Sequence, residues 1–167
     1  MLLVDRGTWP AWAIQGGQWL LAHLPVVGAK YLQGFTWLNH VAIIREDTPG
    51  VFTVSEMGMH GHQIRDLEHY LDHTYCVVDF EVPNRELVLA ADTRFHGIDY
   101  GFIQYPFLII NGLTGAKIAA SYGSSMICST HVTMICENVY FSPDRQAAAV
   151  IPAHIAYWVD ARRPALG

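Results

Sequence analysis

The stretch Asn39–Glu56, NHVAIIREDTPGVFTVSE, decides the fold. Two runs rich in β-branched and aromatic residues, Asn39–Arg45 and Val51–Glu56, flank Glu46-Asp47-Thr48-Pro49-Gly50, whose acids, proline and glycine are turn chemistry. The segment reads as a β-hairpin. With the turn centred on Thr48, Arg45 stands opposite Val51, Ile44 opposite Phe52, Ala42 opposite Val54 and His40 opposite Glu56. Directly opposed residues share a sheet face with Cβ atoms about 4.5–5.5 Å apart, which sets His40 and Glu56 side by side at the open end. Their face carries Ala42, Ile44, Phe52 and Val54, and the other face Arg45, Thr53 and Ser55, so imidazole and carboxylate border a core. A carboxylate beside an imidazole fixes its tautomer and stabilises the imidazolium, the orienting half of a nucleophilic triad. The alternative is a plain cross-strand polar pair at a sheet edge, and a one-residue slip would move Glu56 to the other face.

Outward from the hairpin, residues 8–24 suggest a short apolar helix with Thr8 as N-cap, Pro10 in the first turn and Trp12, Trp19, Leu20 and Leu24 on one face. A Gly- and His-rich loop, Met57–His62, leads to helically spaced Ile64, Leu67 and Leu71, and Tyr75–Phe80 reads as a strand. Residues 84–96 read as a helix with Leu87, Ala90 and Ala91 inward and Gly97 at its C-cap. Ile98–Ile118 and Val150–Val159 give no clear assignment. Cys128, Val132, Ile135, Cys136 and Val139 mark one helical face, with Ser124 or Ser125 as N-cap. The sum is a single α+β domain over 1–167 with a central antiparallel sheet packed against helices.

Composition narrows the function. A chain of 167 residues, 51% hydrophobic and 15% charged, can bury one sizeable core. Its formal charge of −5, with only 10 Lys and Arg scattered along it, offers no patch for phosphate backbones, so nucleic acid is not an expected partner. No window holds the roughly 20 uninterrupted apolar residues of a membrane span. The N-terminus lacks signal-peptide layout, so the expected setting is the cytoplasm or a phage-encoded protein. Cys76, Cys128 and Cys136 have no C-x-x-C spacing. Tryptophans crowd the N-terminal region, where a protein partner could dock.

Cys128 falls in the first turn of its helix, where the dipole favours a thiolate, whereas Cys136, two turns inside, and Cys76, in a strand, read as small hydrophobes. Two rivals exist. Cys128 and His131, at i and i+3, would share a helix face as a local dyad. His60, His62, His69 and His73 fall close together, the last two one helical turn apart, as zinc ligands often are. No thiolate or fourth ligand completes a familiar spacing, and no cofactor is expected.

The order Asn39-His40-Val41-Ala42-Ile43-Ile44, Val54-Ser55-Glu56, Gly97-Ile98-Asp99-Tyr100-Gly101-Phe102 and Ile127-Cys128-Ser129-Thr130-His131-Val132 resembles the circularly permuted branch of the NlpC/P60 superfamily of papain-like cysteine hydrolases. The resemblance implies a papain-like NlpC/P60 fold with Cys128 as nucleophile, His40 as general base and Glu56 as the orienting residue. It also implies peptidase- or amidase-type acyl transfer on a peptide, amide or ester substrate, with Tyr100, His60 and His62 lining the cleft. Thr130 stands where the family usually has glutamate, and Leu2–Gly7 is a reduced form of the opening Gly-Asp strand. The alternative is a degenerate, non-catalytic binding or assembly member.

Overall fold

The computed structural model describes residues 2–5, 9–24, 30–78, 84–114, 125–136 and 150–161. Strand β1 (Leu2–Asp5) precedes helix α1 (Trp9–His23), and a 3-10 segment at Lys30–Phe35 leads to the hairpin β2 (His40–Thr48) and β3 (Val51–Gly58). Strands β4 (Gly61–Asp66) and β5 (Thr74–Val77) follow, then α2 (Arg85–Asp92), β6 (Asp99–Tyr100), α3 (Gln104–Thr114), β7 (Ser125–Met126), α4 (Cys128–Cys136) and α5 (Pro152–Ala161). The fold is α+β, with a five-stranded sheet in the order β4-β3-β2-β1-β5, antiparallel throughout. A short parallel pair joins β6 to β7.

The hairpin forms with a register two residues away from the expected one. Ile44 pairs with Val54 and Arg45 with Thr53, because Pro49-Gly50 close the turn between Thr48 and Val51 and Asp47 is an extra, bulged residue. Gly50 takes the positive φ of 78° that a turn with proline before it requires. A shift of two is even, so every side chain keeps its face, and His40 and Glu56 become diagonal rather than direct neighbours. The backbone ladder stops at Ile43–Ser55, leaving both residues just beyond its end.

Other expectations need correction. The helical spacing of Ile64, Leu67 and Leu71 is fortuitous: residues 61–66 pair with β3, and only Leu67–Tyr70 coil, as a 3-10 turn. On α1 the buried residues are Ala11, Gln18, Leu21 and Ala22, while Trp12 and Trp19 are 63% and 54% exposed. On α2, capped by Asn84 accepting from the Leu87 N–H, Leu87 is exposed and Val88 and Asp92 are buried. Ser125 belongs to β7 and caps nothing. Helix α4 starts at Cys128 itself, its first internal bond running from the His131 N–H to the Ile127 carbonyl. Thr8, Asp79, Phe80, Ser124 and Val139 lie outside the described residues.

The core has three parts. Val41 and Met57 of the sheet pack with Val88, Cys128, Val132 and Ile135. Leu21, Leu32, Leu108, Ile127 and Ile151 join α1, α3 and α5 beside the start of α4. Val4, Ala42, Val54 and Tyr70 form the third. Polar ties lock the helical layer: the Gln18 side chain donates to the Leu38 carbonyl at 2.6 Å and accepts from the Ala153 N–H at 2.9 Å, and Ser129 Oγ donates to the Val150 carbonyl at 2.6 Å.

Candidate active site

His40 opens β2 and Glu56 nearly closes β3, so the splayed end of the hairpin presents an imidazole to a carboxylate. His40 Nε2 lies 2.7 Å from Glu56 Oε2, with the side chains 6% and 1% exposed. Arg65 on β4, the partner of Val54 in the ladder, places Nε 3.0 Å from Glu56 Oε1. Both are close charge contacts around a buried carboxylate. The carboxylate lies over Gly58, where a Cβ would come 3.3 Å from Oε1; any larger residue there would crowd it. Arg65 offsets the charge that burial would otherwise penalise.

Cys128 is the first residue of α4 and is buried. The Tyr105 hydroxyl is hydrogen-bonded to its thiol, and burial foremost, with Cys128 and Tyr100 as neighbours, holds the Tyr105 pKa well above the ordinary phenol range. Tyr100 Oη meets Tyr105 Oη at 2.5 Å. Helix α4 follows β7, which pairs with β6, and the β6 side is fastened to β4 by the His62 N–H donating to the Ile98 carbonyl at 3.0 Å. Gly61 makes that approach feasible: at its φ of 86° a Cβ would stand 2.4 Å from the Ile98 oxygen. The start of β4, the two-stranded pair and the start of α4 are thereby gathered together. Cys136, two turns further on, has its thiol pushed up to about 12 by burial.

A second polar cluster lies between the sheet and α4. Asp92, the last residue of α2, accepts on Oδ1 from Ser55 Oγ at 2.6 Å, from His62 Nε2 at 3.1 Å and from His131 Nε2 at 3.1 Å. Its Oδ2 accepts from Arg45 Nη1 at 2.6 Å. Burial alone would raise the Asp92 pKa, but the donors from His131, His62 and Ser55 outweigh it and hold the carboxyl far below its usual range. Burial drives His131 the other way, against the pull of Asp92, keeping the imidazole neutral; the charges of His62 and His40 add to the lowering.

The expected residues separate accordingly. His40 and Glu56 are brought together. Tyr100 stands beside the tyrosine that touches Cys128, whereas His60 is exposed on the β3–β4 turn. His62 is turned into the sheet–helix interface, its side chain fully covered, so it lines no open cleft. The local dyad is absent: His131 gives Nε2 to Asp92 and its buried Nδ1 has no hydrogen-bond partner, so neither nitrogen bonds the thiol. His69 and His73 approach each other, ring centroids 6.3 Å apart, without His60 or His62. Among the described residues the group with metal-like spacing is His62, Asp92 and His131, within 4.8 Å. Arg45 already neutralises that carboxylate, so a dication there would face a guanidinium with no acid left to balance it.

Asp92 and Tyr105 escaped the sequence. Asp92 had a signal, an acid four residues after Val88 on the inward face of an amphipathic helix; Tyr105 had none, because α3 itself was not legible. Comparison of the chain with protein-family models, with curated proteins and with solved structures returns no match. Chemically, one end of the sheet offers an imidazole held against a carboxylate, and the start of α4 offers a thiol at the positive end of its dipole.

Proposed function

We propose that the protein is a cysteine hydrolase that transfers the acyl group of an amide or ester to water, with Cys128 as nucleophile, His40 as general base and Glu56 as the orienting residue. The buried contact of His40 Nε2 with Glu56 Oε2 at 2.7 Å carries the proposal. With Nε2 against the carboxylate, Nδ1 is the nitrogen assigned to the thiol in this proposal, and a carboxylate on the far nitrogen stabilises the imidazolium formed when the proton moves. The thiolate attacks the carbonyl carbon, and the C–N or C–O bond breaks as His40 returns the proton to the leaving amine or alcohol. Water, deprotonated by the same imidazole, then releases the carboxylic acid. The backbone N–H of Cys128, at the head of α4, is the proposed oxyanion donor. The permuted NlpC/P60 resemblance of the His40, Glu56 and Cys128 segments supports the same roles and a papain-like arrangement.

The test is labelling by iodoacetamide together with turnover of p-nitrophenyl acetate. Cys128→Ser is expected to abolish both, and Cys136→Ser neither. Labelling that survives in Cys128→Ser, or that proceeds equally fast at Cys136, overturns the assignment. Absence of both activities in the folded chain would favour a non-catalytic assembly module, for which exposed Trp12, Trp19 and Trp37 supply an adhesive surface.

A further inference from the structure

Helix α4 is seated on the sheet through a buried imidazole. His131 is wholly covered, donates Nε2–H to Asp92 at 3.1 Å and packs edge to face with Phe95 and His62, ring centroids 5.2 and 5.1 Å away. Its Nδ1 is buried and has no hydrogen-bond partner among the described residues. A proton added there makes a buried N–H without an acceptor, which costs the full desolvation of that group.

The surrounding charges do little to offset this cost. Asp92 comes from α2, and its other oxygen is taken by Arg45 of β2 at 2.6 Å; Arg45 also meets Asp47 at 2.9 Å toward the surface. The uncharged Ser55 comes from β3, and from β4 comes His62, itself donating to Asp92. Behind His62 stands the exposed His96, its ring centroid 4.8 Å away. His40, at the start of β2 and paired with Glu56, adds a further like charge when protonated. The α5 side contributes apolar Ile155 and Ala156, and Asp66 and Asp99, on β4 and β6, are exposed to water. One carboxylate thus serves a guanidinium and two imidazoles, and an imidazolium at position 131 adds unbalanced positive charge. Burial accordingly outweighs the pull of Asp92 and holds the His131 pKa below its ordinary value.

We infer that His131 is an acid-sensitive latch on α4: when it takes up a proton, the helix lifts from the sheet and uncovers Cys128. Helix α4 has only nine residues, too few to stand without tertiary contacts. Its seat rests on this tie, on Ser129 reaching the Val150 carbonyl and on apolar Val132 and Ile135. The sheet is held instead by backbone ladders that do not titrate, so acid loosens the helix first. Cys128 at its head and Cys136 at its end are both buried, and the two thiols become accessible together. The latch is independent of the hydrolase reading; within that reading it governs access to the nucleophile.

The test measures the rate at which 4,4′-dithiodipyridine modifies each cysteine of the full chain, read by peptide mass spectrometry and divided by the rate in the urea-unfolded chain at the same pH. Opening returns His131 to the ordinary imidazole pKa of about 6.5, so the opened population should rise about tenfold from pH 7.5 to pH 5.5. Cys128 and Cys136 are expected to gain that factor, while Cys76 on the edge strand β5 changes less than twofold. His131→Gln keeps an N–H for Asp92 and takes no proton, so it should flatten the response. A parallel rise at Cys76 means global unfolding and overturns the latch, as does a flat wild-type response or a rise that survives in His131→Gln. If that variant fails to fold, the His131 ring titration followed by proton–carbon NMR in the wild type decides: it must share its midpoint with thiol release, and a separate midpoint overturns the latch. None of these readings uses ester turnover, so the hydrolase reading can fail without touching them.

Discussion

Among the described residues are two buried histidine–carboxylate clusters, one at the open end of the β2–β3 hairpin and one beneath α4, and they are built to opposite ends. Asp92 is saturated, with three donors on one oxygen and a guanidinium on the other. Its donors come from β2, β3, β4 and α4, so the carboxylate fastens four elements to α2 and has no capacity left for chemistry. Glu56 meets His40 and Arg65 in charge contacts at the end of the hairpin. A carboxylate in charge contact with an imidazole strengthens its hold when the imidazole gains a proton. Proximity of His to an acid therefore does not by itself mark a catalytic site: Asp92 ties five elements together, whereas Glu56 faces a histidine at a strand end.

The largest effects should break this comparison cleanly. His40→Ala is expected to lower ester turnover by about 10²–10⁴-fold while leaving the urea midpoint nearly unchanged. Asp92→Ala should do the reverse, costing about 3 kcal/mol of stability by urea unfolding, because it strands Arg45 and two imidazoles inside. A severe stability loss in His40→Ala with little loss in Asp92→Ala would exchange their roles.

Acidification gives the next effect. The Asp92 pKa is depressed in the fold, so its stabilisation is complete above the ordinary carboxyl pKa of about 3.9 and is lost as pH falls below it. The His131 pKa is also depressed, so the unfolded chain takes up its proton first and stability begins to fall below about pH 6.5. The urea midpoint should therefore decline in two stages on going down in pH, and Asp92→Asn should remove the lower one. A midpoint constant from pH 7 to pH 4 would contradict the assigned network.

The smallest effect concerns the thiol. Tyr105→Phe removes a hydroxyl bonded to Cys128, and a hydrogen bond worth about 1 kcal/mol corresponds to roughly fivefold in the rate of iodoacetamide labelling. The expected direction is a slower rate, since the thiolate loses a donor; a faster rate would mean that the hydroxyl acts as a cover instead.

What was legible in the sequence was what local physics decides. Alternation and turn chemistry placed the hairpin, and the His40–Glu56 pairing survived a register error because the Pro49-Gly50 turn with the Asp47 bulge moved the strand by an even number. Apolar spacing placed α4. Spacing failed where tertiary pairing overrode it, as at Ile64–Leu71, most of which joins β3, and on α1, where Gln18 rather than Trp19 faces inward because its amide finds Leu38 and Ala153. The Asp92 cluster draws its donors from residues far apart in the chain, and no local pattern joins them.

The acceptor role of Asp92 has a consequence for magnetic resonance. An ionised carboxylate can only accept, so both His62 and His131 present Nε2–H to Asp92. Long-range proton–nitrogen correlation spectra should show two rings with Nε2 protons protected from exchange, and so report the seating of α4 on the sheet.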